Sequence, residues 1–219
     1  MDADLARLAT LVAHEMRTPL SVVSGYMKML AGERQGPLTE AQRRSVDGAT
    51  RASQQLTILA ADLSLLAKIA RGEVASNRTS VAIAPLLTEV AATHVSSDDH
   101  PVRVEADLVE VVVQADAANL RRVLMTLLAA AVRGAPDDAT LRLAARRFDT
   151  VIAIAIAPVA VVEELLDADP ESLDKVDEST GGLGVGLPLA GALLTLDRGS
   201  IRVRTSPQGL GIRLTLPAA

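Results

Sequence analysis

The first 72 residues carry apolar side chains at a helical three-four spacing through two long runs, which limits this stretch to packed helices. In the first run, residues 4–31, Leu5, Leu8, Val12, Pro19, Val22, Tyr26 and Met29 share one face, with Glu15 the polar exception. Leu20, Val23, Met27 and Leu30 form a second apolar stripe beside it. In the second run Ala49, Ala52, Leu56, Leu59, Leu63, Leu66 and Ala70 keep a heptad alternation. Residues 32–38 between them are rich in Gly, Pro and charge, Thr39 is a good N-cap, and Gly72 ends the second run. Two long helices with a short loop predict an antiparallel hairpin. Each helix carries more apolar surface than one hairpin can bury. Two hairpins from two chains are therefore expected to close a four-helix bundle, making the protein a homodimer.

From residue 76 the pattern changes. Strands are predicted at 81–83, 102–105, 109–114, 141–147, 151–157, 200–205 and 211–216. Helices are predicted at 85–94, 117–133 and about 187–196, with an acidic loop over 163–180. This is an α+β layer, a mixed sheet covered by helices. The boundary near 72–79 divides the chain into units 1–75 and 76–219. Aromatics are 1% of the chain against 49% hydrophobic residues, so the core is aliphatic and offers no base-stacking platform. A net charge of −5 argues against nucleic-acid binding through phosphates. The lack of cysteine excludes disulfides, thiolate metal sites and a Cys nucleophile. The longest apolar run, 151–162, is shorter than the roughly 20 residues of a helical span. Asp2 and Asp4 make the N-terminus unlike a signal peptide. The expectation is a chain with no membrane segment and a cytoplasmic location.

Residues 14–20 read His-Glu-Met-Arg-Thr-Pro-Leu and concentrate reactive groups on one helical segment. A histidine ring is a nucleophile that can take a phosphoryl group, and a neighbouring carboxylate can hold its reactive tautomer. On a helix His14 shares its face with Arg7, Thr10, Arg17, Thr18, Ser21 and Lys28, so an exposed ring is expected. Arg17 is placed to offset phosphate charge. Thr18, one turn on, carries a hydroxyl on the same face. Pro19 lacks an N–H, so the Glu15 carbonyl loses its helical partner and a bend is expected. His94 and His100 lack acidic or metal-ligand spacing, and no metal site is expected.

These segments together resemble the transmitter core of a bacterial sensor histidine kinase. That family joins a dimerising helical hairpin, carrying a phosphorylatable His, to an α/β sandwich of the GHKL ATPase type. His14-Glu15 with Thr18-Pro19-Leu20 is similar to its signature, and Asp62-Leu63-Ser64-Leu65-Leu66-Ala67 to the end of its second helix. Asp116 followed by Leu120-Arg121-Arg122-Val123-Leu124 resembles the entry to its Mg²⁺-binding helix, and Gly182-Leu183-Gly184-Val185-Gly186-Leu187 its second glycine box. The resemblance implies that His14 is the phosphoryl acceptor, Glu15 its activating carboxylate, and Thr18 the group orienting water for removal of phosphate. It also implies a response-regulator receiver domain as partner.

The resemblance breaks at the nucleotide site. Family members carry asparagines where this chain has Thr126 and Ala130, and an adenine-anchoring Asp where residues 151–166 contain neither Asp nor Gly. The lid phenylalanine is also missing, since the one Phe is Phe148. Gly182, Gly184 and Gly186 remain as a phosphate cradle or a plain helix entry. The acidic loop would repel a triphosphate. ATP is therefore not expected to bind, no intrinsic cofactor is expected, and Mg²⁺ is supplied by the partner receiver. The expected function is phosphotransfer between His14 and a receiver aspartate, or phosphate removal. The alternatives are an ATP-dependent autokinase with an atypical site and a non-enzymatic dimer that binds a receiver or modulates a kinase.

Overall fold

A computed structural model describes residues 3–33, 36–94, 101–107, 110–175 and 185–219. The chain splits into two compact units, Met1–Val74 and Ala75–Ala219.

The first unit is a hairpin of α1 (Ala3–Ala31) and α2 (Glu40–Ala70). Thr39 caps α2 with a capping box: its hydroxyl accepts the Gln42 N–H at 3.3 Å, and the Gln42 side chain accepts the Thr39 N–H at 2.9 Å. Gly72 follows the helix at φ +71°, the left-handed conformation that glycine adopts without a Cβ penalty. The helices run antiparallel. Arg71, just past the end of α2, reaches Ala6 and Thr10 near the start of α1, and the Ser24 and Ser53 hydroxyls meet at 2.9 Å midway.

The seam between the two helices is built from small residues. Ala6 and Ala13 of α1 are buried, as are Val46, Ser53, Ala60 and Ala67 of α2, each seven residues from the next. Leu20, Met27 and Leu30 are half-buried beside them. The long apolar stripe read from the sequence of α1 points outward instead: Leu5, Leu8 and Tyr26 are 54%, 55% and 59% exposed. The same holds on α2, where Leu56 and Leu59 are exposed. Helix α1 runs without interruption through Pro19.

The second unit holds a six-stranded sheet in the order β2-β4-β5-β8-β7-β6 and a separate β1-β3 pair. Its strands are β1 (Thr79–Ala82), β2 (Arg103–Ala106), β3 (Val112–Ala115), β4 (Thr140–Phe148), β5 (Val151–Pro158), β6 (Asp174–Lys175), β7 (Ser200–Ser206) and β8 (Gly209–Pro217). Its helices are α3 (Ile83–Ala92), α4 (Ala117–Arg133), α5 (Val162–Asp167) and α6 (Gly186–Leu196), with a 3₁₀ turn at Pro170–Ser172. Helix α3 begins earlier than its sequence suggests, because Pro85 fits the first helical turn, where its missing N–H has no helical partner to lose. The predicted start of the third strand, Val109, lies outside the described residues.

Strand β5 fixes the layering. Ile152, Ile154 and Ile156 alternate with Ala153, Ala155 and Ala157, and all six are fully buried. The alanine face, continued by Ala144 of β4, is covered by Val162, Leu165 and Leu166 of α5 and by Leu173. The isoleucines therefore face the layer formed by the other helices. Gly211 of β8 permits this close approach, since a Cβ there would sit 3.0 Å from Leu165 Cδ2.

The acidic stretch after residue 163 is accordingly not a plain loop. Its first part is α5, followed by the 3₁₀ turn and β6; residues 176–180 lie outside the described residues. Its charges meet arginines of the sheet: Arg146 pairs with Glu163 and Asp167, Arg204 with Glu164 at 2.7 Å, and Arg142 with Glu163 at 3.9 Å. Hydrogen bonding to Asp167, then to Glu163, holds the Arg146 pKa above its ordinary value. Between these pairs Arg213 is 6% exposed, donates to the Ala168 carbonyl and lies 5.7 Å from the Phe148 ring centre. Burial lowers its pKa, with Asp167 and Asp169 opposing.

Candidate phosphoryl-acceptor site

His14 sits near the middle of α1 and is exposed, as are Glu15, Arg17 and Thr18. The inner face of α1 passes through Ala6 and Ala13, so His14 lies on its flank rather than in the seam. Adjacent residues on a helix diverge, and residues three or four apart converge. The helix therefore sets Arg17 and Thr18 on the side of His14, while Glu15 projects away from that line.

The Thr18 hydroxyl, like those of Ser64 and Thr126, makes no bond back to its helix among the described residues. Thr10, Ser21, Ser45, Thr50, Thr57, Thr88 and Thr195 each donate to the carbonyl four residues back. Thr18, whose corresponding carbonyl belongs to His14, makes no such bond among the described residues. A helical hydroxyl that does not bond back is available to solvent or a partner.

Further along the hairpin, Ser24, Lys28, Thr50, Gln54, Thr57 and Ile58 line a groove of about 390 Å³ between α1 and α2. Ser24 is ten residues beyond His14, about 15 Å along a helix. The groove's polar lining has no simple signature in the sequence, because it comes from two helices of opposite direction.

In the second unit Asp116 caps α4, its carboxylate accepting the N–H groups of Ala118 and Asn119 at 3.1 Å. Along α4, Thr126 is half-buried and Ala130 is fully buried. Mg²⁺ demands several oxygen ligands. At these two positions the helix offers one hydroxyl and one methyl group. After β5 the chain turns through a bond from the Val161 N–H to the Pro158 carbonyl, 2.9 Å, and enters α5 on the alanine face. The carboxylates of this stretch, Glu163, Glu164 and Asp167, are directed to arginines of the sheet. Three of the acidic side chains expected to repel a triphosphate, Glu163, Glu164 and Asp167, are ion-paired to the sheet, so repulsion adds less than the sequence suggests. Gly186 opens α6, whereas Gly182 and Gly184 lie outside the described residues. Among the described residues no group of three His, Asp or Glu side chains is arranged for a metal ion. His94 bonds the Val102 carbonyl at 2.9 Å, a structural contact; His100 lies outside the described residues. No described helix is long and apolar enough to cross a membrane.

Comparison with known proteins agrees with this architecture. The His Kinase A (phospho-acceptor) domain matches residues 4–72. The probable sensor histidine kinase TcrY of Mycobacterium tuberculosis is 28% identical over 217 residues, covering 94% of this chain and 44% of that protein. The phosphate regulon sensor protein PhoR of Pseudomonas aeruginosa is 25% identical over 205 residues, 90% of this chain and 46% of PhoR. The chain thus spans less than half the length of these relatives. Full-length ShkA, solved with AMPPNP, shares the fold at a TM-score of 0.69 and 21% identity, covering 97% of this chain and 46% of ShkA. The histidine kinase AdeS of Acinetobacter baumannii does so at 0.59 and 15% identity, over 94% of this chain and 98% of AdeS. With residues 4–72 matching the His Kinase A (phospho-acceptor) domain and a mixed α/β domain after them, the chain has the architecture of a sensor histidine kinase core.

Proposed function

We propose that this protein exchanges phosphoryl groups between His14 and the aspartate of a response-regulator receiver, and does so without binding ATP itself. The observation that carries this reading is the contrast between its two units. An exposed His14 flanked by Arg17 and an unengaged Thr18 hydroxyl suits phosphoryl chemistry, while Ala130 and Thr126 leave the nucleotide helix short of metal-binding oxygen.

In the transfer, a ring nitrogen of neutral His14 attacks the phosphorus of the aspartyl phosphate. The N–P bond forms, the O–P bond breaks, and the receiver aspartate leaves as a carboxylate. Arg17 offsets the negative charge on the phosphoryl oxygens, and Glu15, which projects to another side of α1, acts on the ring only as a counter-charge at longer range. Mg²⁺ belongs to the receiver. For phosphate removal, Thr18 orients a water that attacks the same phosphorus and releases inorganic phosphate. The groove at Ser24, Lys28 and Gln54 supports the receiver's grip on the hairpin. The exposed Leu5, Leu8, Leu56 and Leu59 support a homodimer in which a second hairpin covers them.

Incubation with a receiver carrying labelled phosphate tests the reading. Label is expected on His14 and not on the His14→Ala protein, with no ATP binding by calorimetry in the presence of Mg²⁺. Label appearing on His14 from γ-labelled ATP would replace this reading with an autokinase. Normal signalling by His14→Ala would replace it with a binding role.

A further inference from the structure

Arg71, just past the end of α2, places its guanidinium on α1 in the turns before His14. Arg71 Nη1 donates to Thr10 Oγ1 at 2.7 Å and to the Ala6 carbonyl at 3.0 Å. Its Nε and Nη2 form a fork on Glu73 at 2.6 and 2.9 Å. Four of the five guanidinium N–H donors are thereby engaged, which leaves one Nη2 hydrogen for a further acceptor. The side chain is 17% exposed, so the charge is held in place yet reachable.

Thr10 precedes His14 by four residues and lies on the same side of α1. Helical Cα–Cβ bonds tilt toward the N-terminus, so a helical side chain covers the turn before its own Cα. For His14 that is the turn where Arg71 is bound. Arg17 stands on the same side one turn further along α1, three residues after His14. A phosphoryl group on the His14 ring would thus have a guanidinium in the turn on each side of it along α1, one from its own helix and one from the far end of the hairpin. Arginine is suited to this, because its planar fork matches the oxygens of carboxylates and phosphates alike. The Glu73 carboxylate already occupies the fork as an oxyanion would.

We propose that Arg71 binds the phosphoryl group carried by His14, with Glu73 as the internal anion that competes for the same fork. This rests on His14 being the phosphoryl acceptor.

The test loads His14 of the full chain with phosphoramidate, a small-molecule donor. Its P–N bond breaks, ammonia leaves, and a new P–N bond forms on the imidazole. Phosphorus NMR then follows the pH titration of the phosphoryl group. Arg71→Gln is expected to raise the midpoint by about one unit, the lower end of the effect of a charge within contact distance. Arg71→Lys is expected to stay near the wild type. Glu73→Gln is expected to lower the midpoint, because it releases the fork. A purely structural role for Arg71 would move Arg71→Gln and Glu73→Gln in the same direction, since both break one ion pair. That result, an unchanged midpoint in Arg71→Gln, or a wild-type chain that takes no phosphoryl group would each overturn the proposal. If Arg71→Gln loses helix by circular dichroism, a lowered midpoint in Glu73→Gln beside an unchanged one in Arg71→Lys decides for the proposal, and an unchanged midpoint in Glu73→Gln against it. A parallel incubation with phosphorylated receiver separates the two claims: no transfer there, with an Arg71-dependent titration here, overturns the receiver reading alone.

Discussion

Asp197, 1% exposed just past α6, accepts the backbone N–H of Asp116 at 3.1 Å and the hydroxyl of Ser76. Asp116 in turn accepts the Asn77 N–H at 3.2 Å and caps α4. One buried carboxylate thus ties the first residues of the second unit, the start of α4 and the end of α6 together. Removing it leaves a buried N–H and a hydroxyl without partners. Asp197→Ala is expected to destabilise the second unit by about 2–3 kcal/mol, read as a lower urea midpoint. The helical content of an isolated 1–75 fragment serves as the unaffected reference.

The outward apolar stripe of the hairpin makes a test of assembly. Leu56 and Leu59 are 42% and 39% exposed and one turn apart. Leu56→Glu combined with Leu59→Glu puts two charges where a second hairpin would bury leucines. Light scattering is expected to show a dimer for the wild type and a monomer for the double variant. An unchanged mass would place the dimer contact elsewhere.

Thr18→Val removes the hydroxyl and keeps the branched shape of the side chain beside His14. Labelling of His14 from a receiver is expected to persist, while release of inorganic phosphate slows about tenfold or more, as for loss of a group that positions a reacting water. Equal slowing of both would assign Thr18 to the geometry of the helix instead.

The Arg71–Glu73 pair predicts an acid dependence of the hairpin. Hydrogen bonding to Arg71 holds the Glu73 pKa below its ordinary value, with burial opposing. A carboxylate lowered in this way stabilises the folded state above the unfolded pKa, roughly 4.3 for glutamate. That contribution is lost as pH falls through the lower, folded value. The pair is open to solvent, so the effect is small. The thermal midpoint of the 1–75 fragment is expected to fall on acidification, and Glu73→Gln to flatten part of that fall.

Much of the architecture was legible before any coordinates. The Thr39 cap, the Gly72 stop and the span of α4 follow from local chemistry: a side-chain oxygen meeting open N–H groups, or a backbone angle only glycine takes readily. The polar flank of His14 followed from helical periodicity. What failed was reading residues 163–180 by charge alone. Acidic residues suggest a solvated loop, but Val162, Leu165 and Leu166 sit three or four apart among them and bury against alanines too short to reach solvent. The charges then find arginines on β4 and β7, which no local window of sequence brings near.

The sequence by itself determined the hairpin, the exposed polar flank that carries His14 and the shortage of oxygen ligands at Thr126 and Ala130 of α4, because each depends on residues close together in the chain. Only the tertiary structure decided which apolar stripe closes the hairpin. Small side chains at Ala6, Ala13, Ser53, Ala60 and Ala67 let the two backbones approach, so the seam forms there and the large leucines are left outside. It alone also brought Arg71 to Thr10, across 61 residues of sequence and beside the turn that His14 covers. Periodicity tells which residues share a face; only packing against a second element selects the face to be buried and the distant charge that arrives at it.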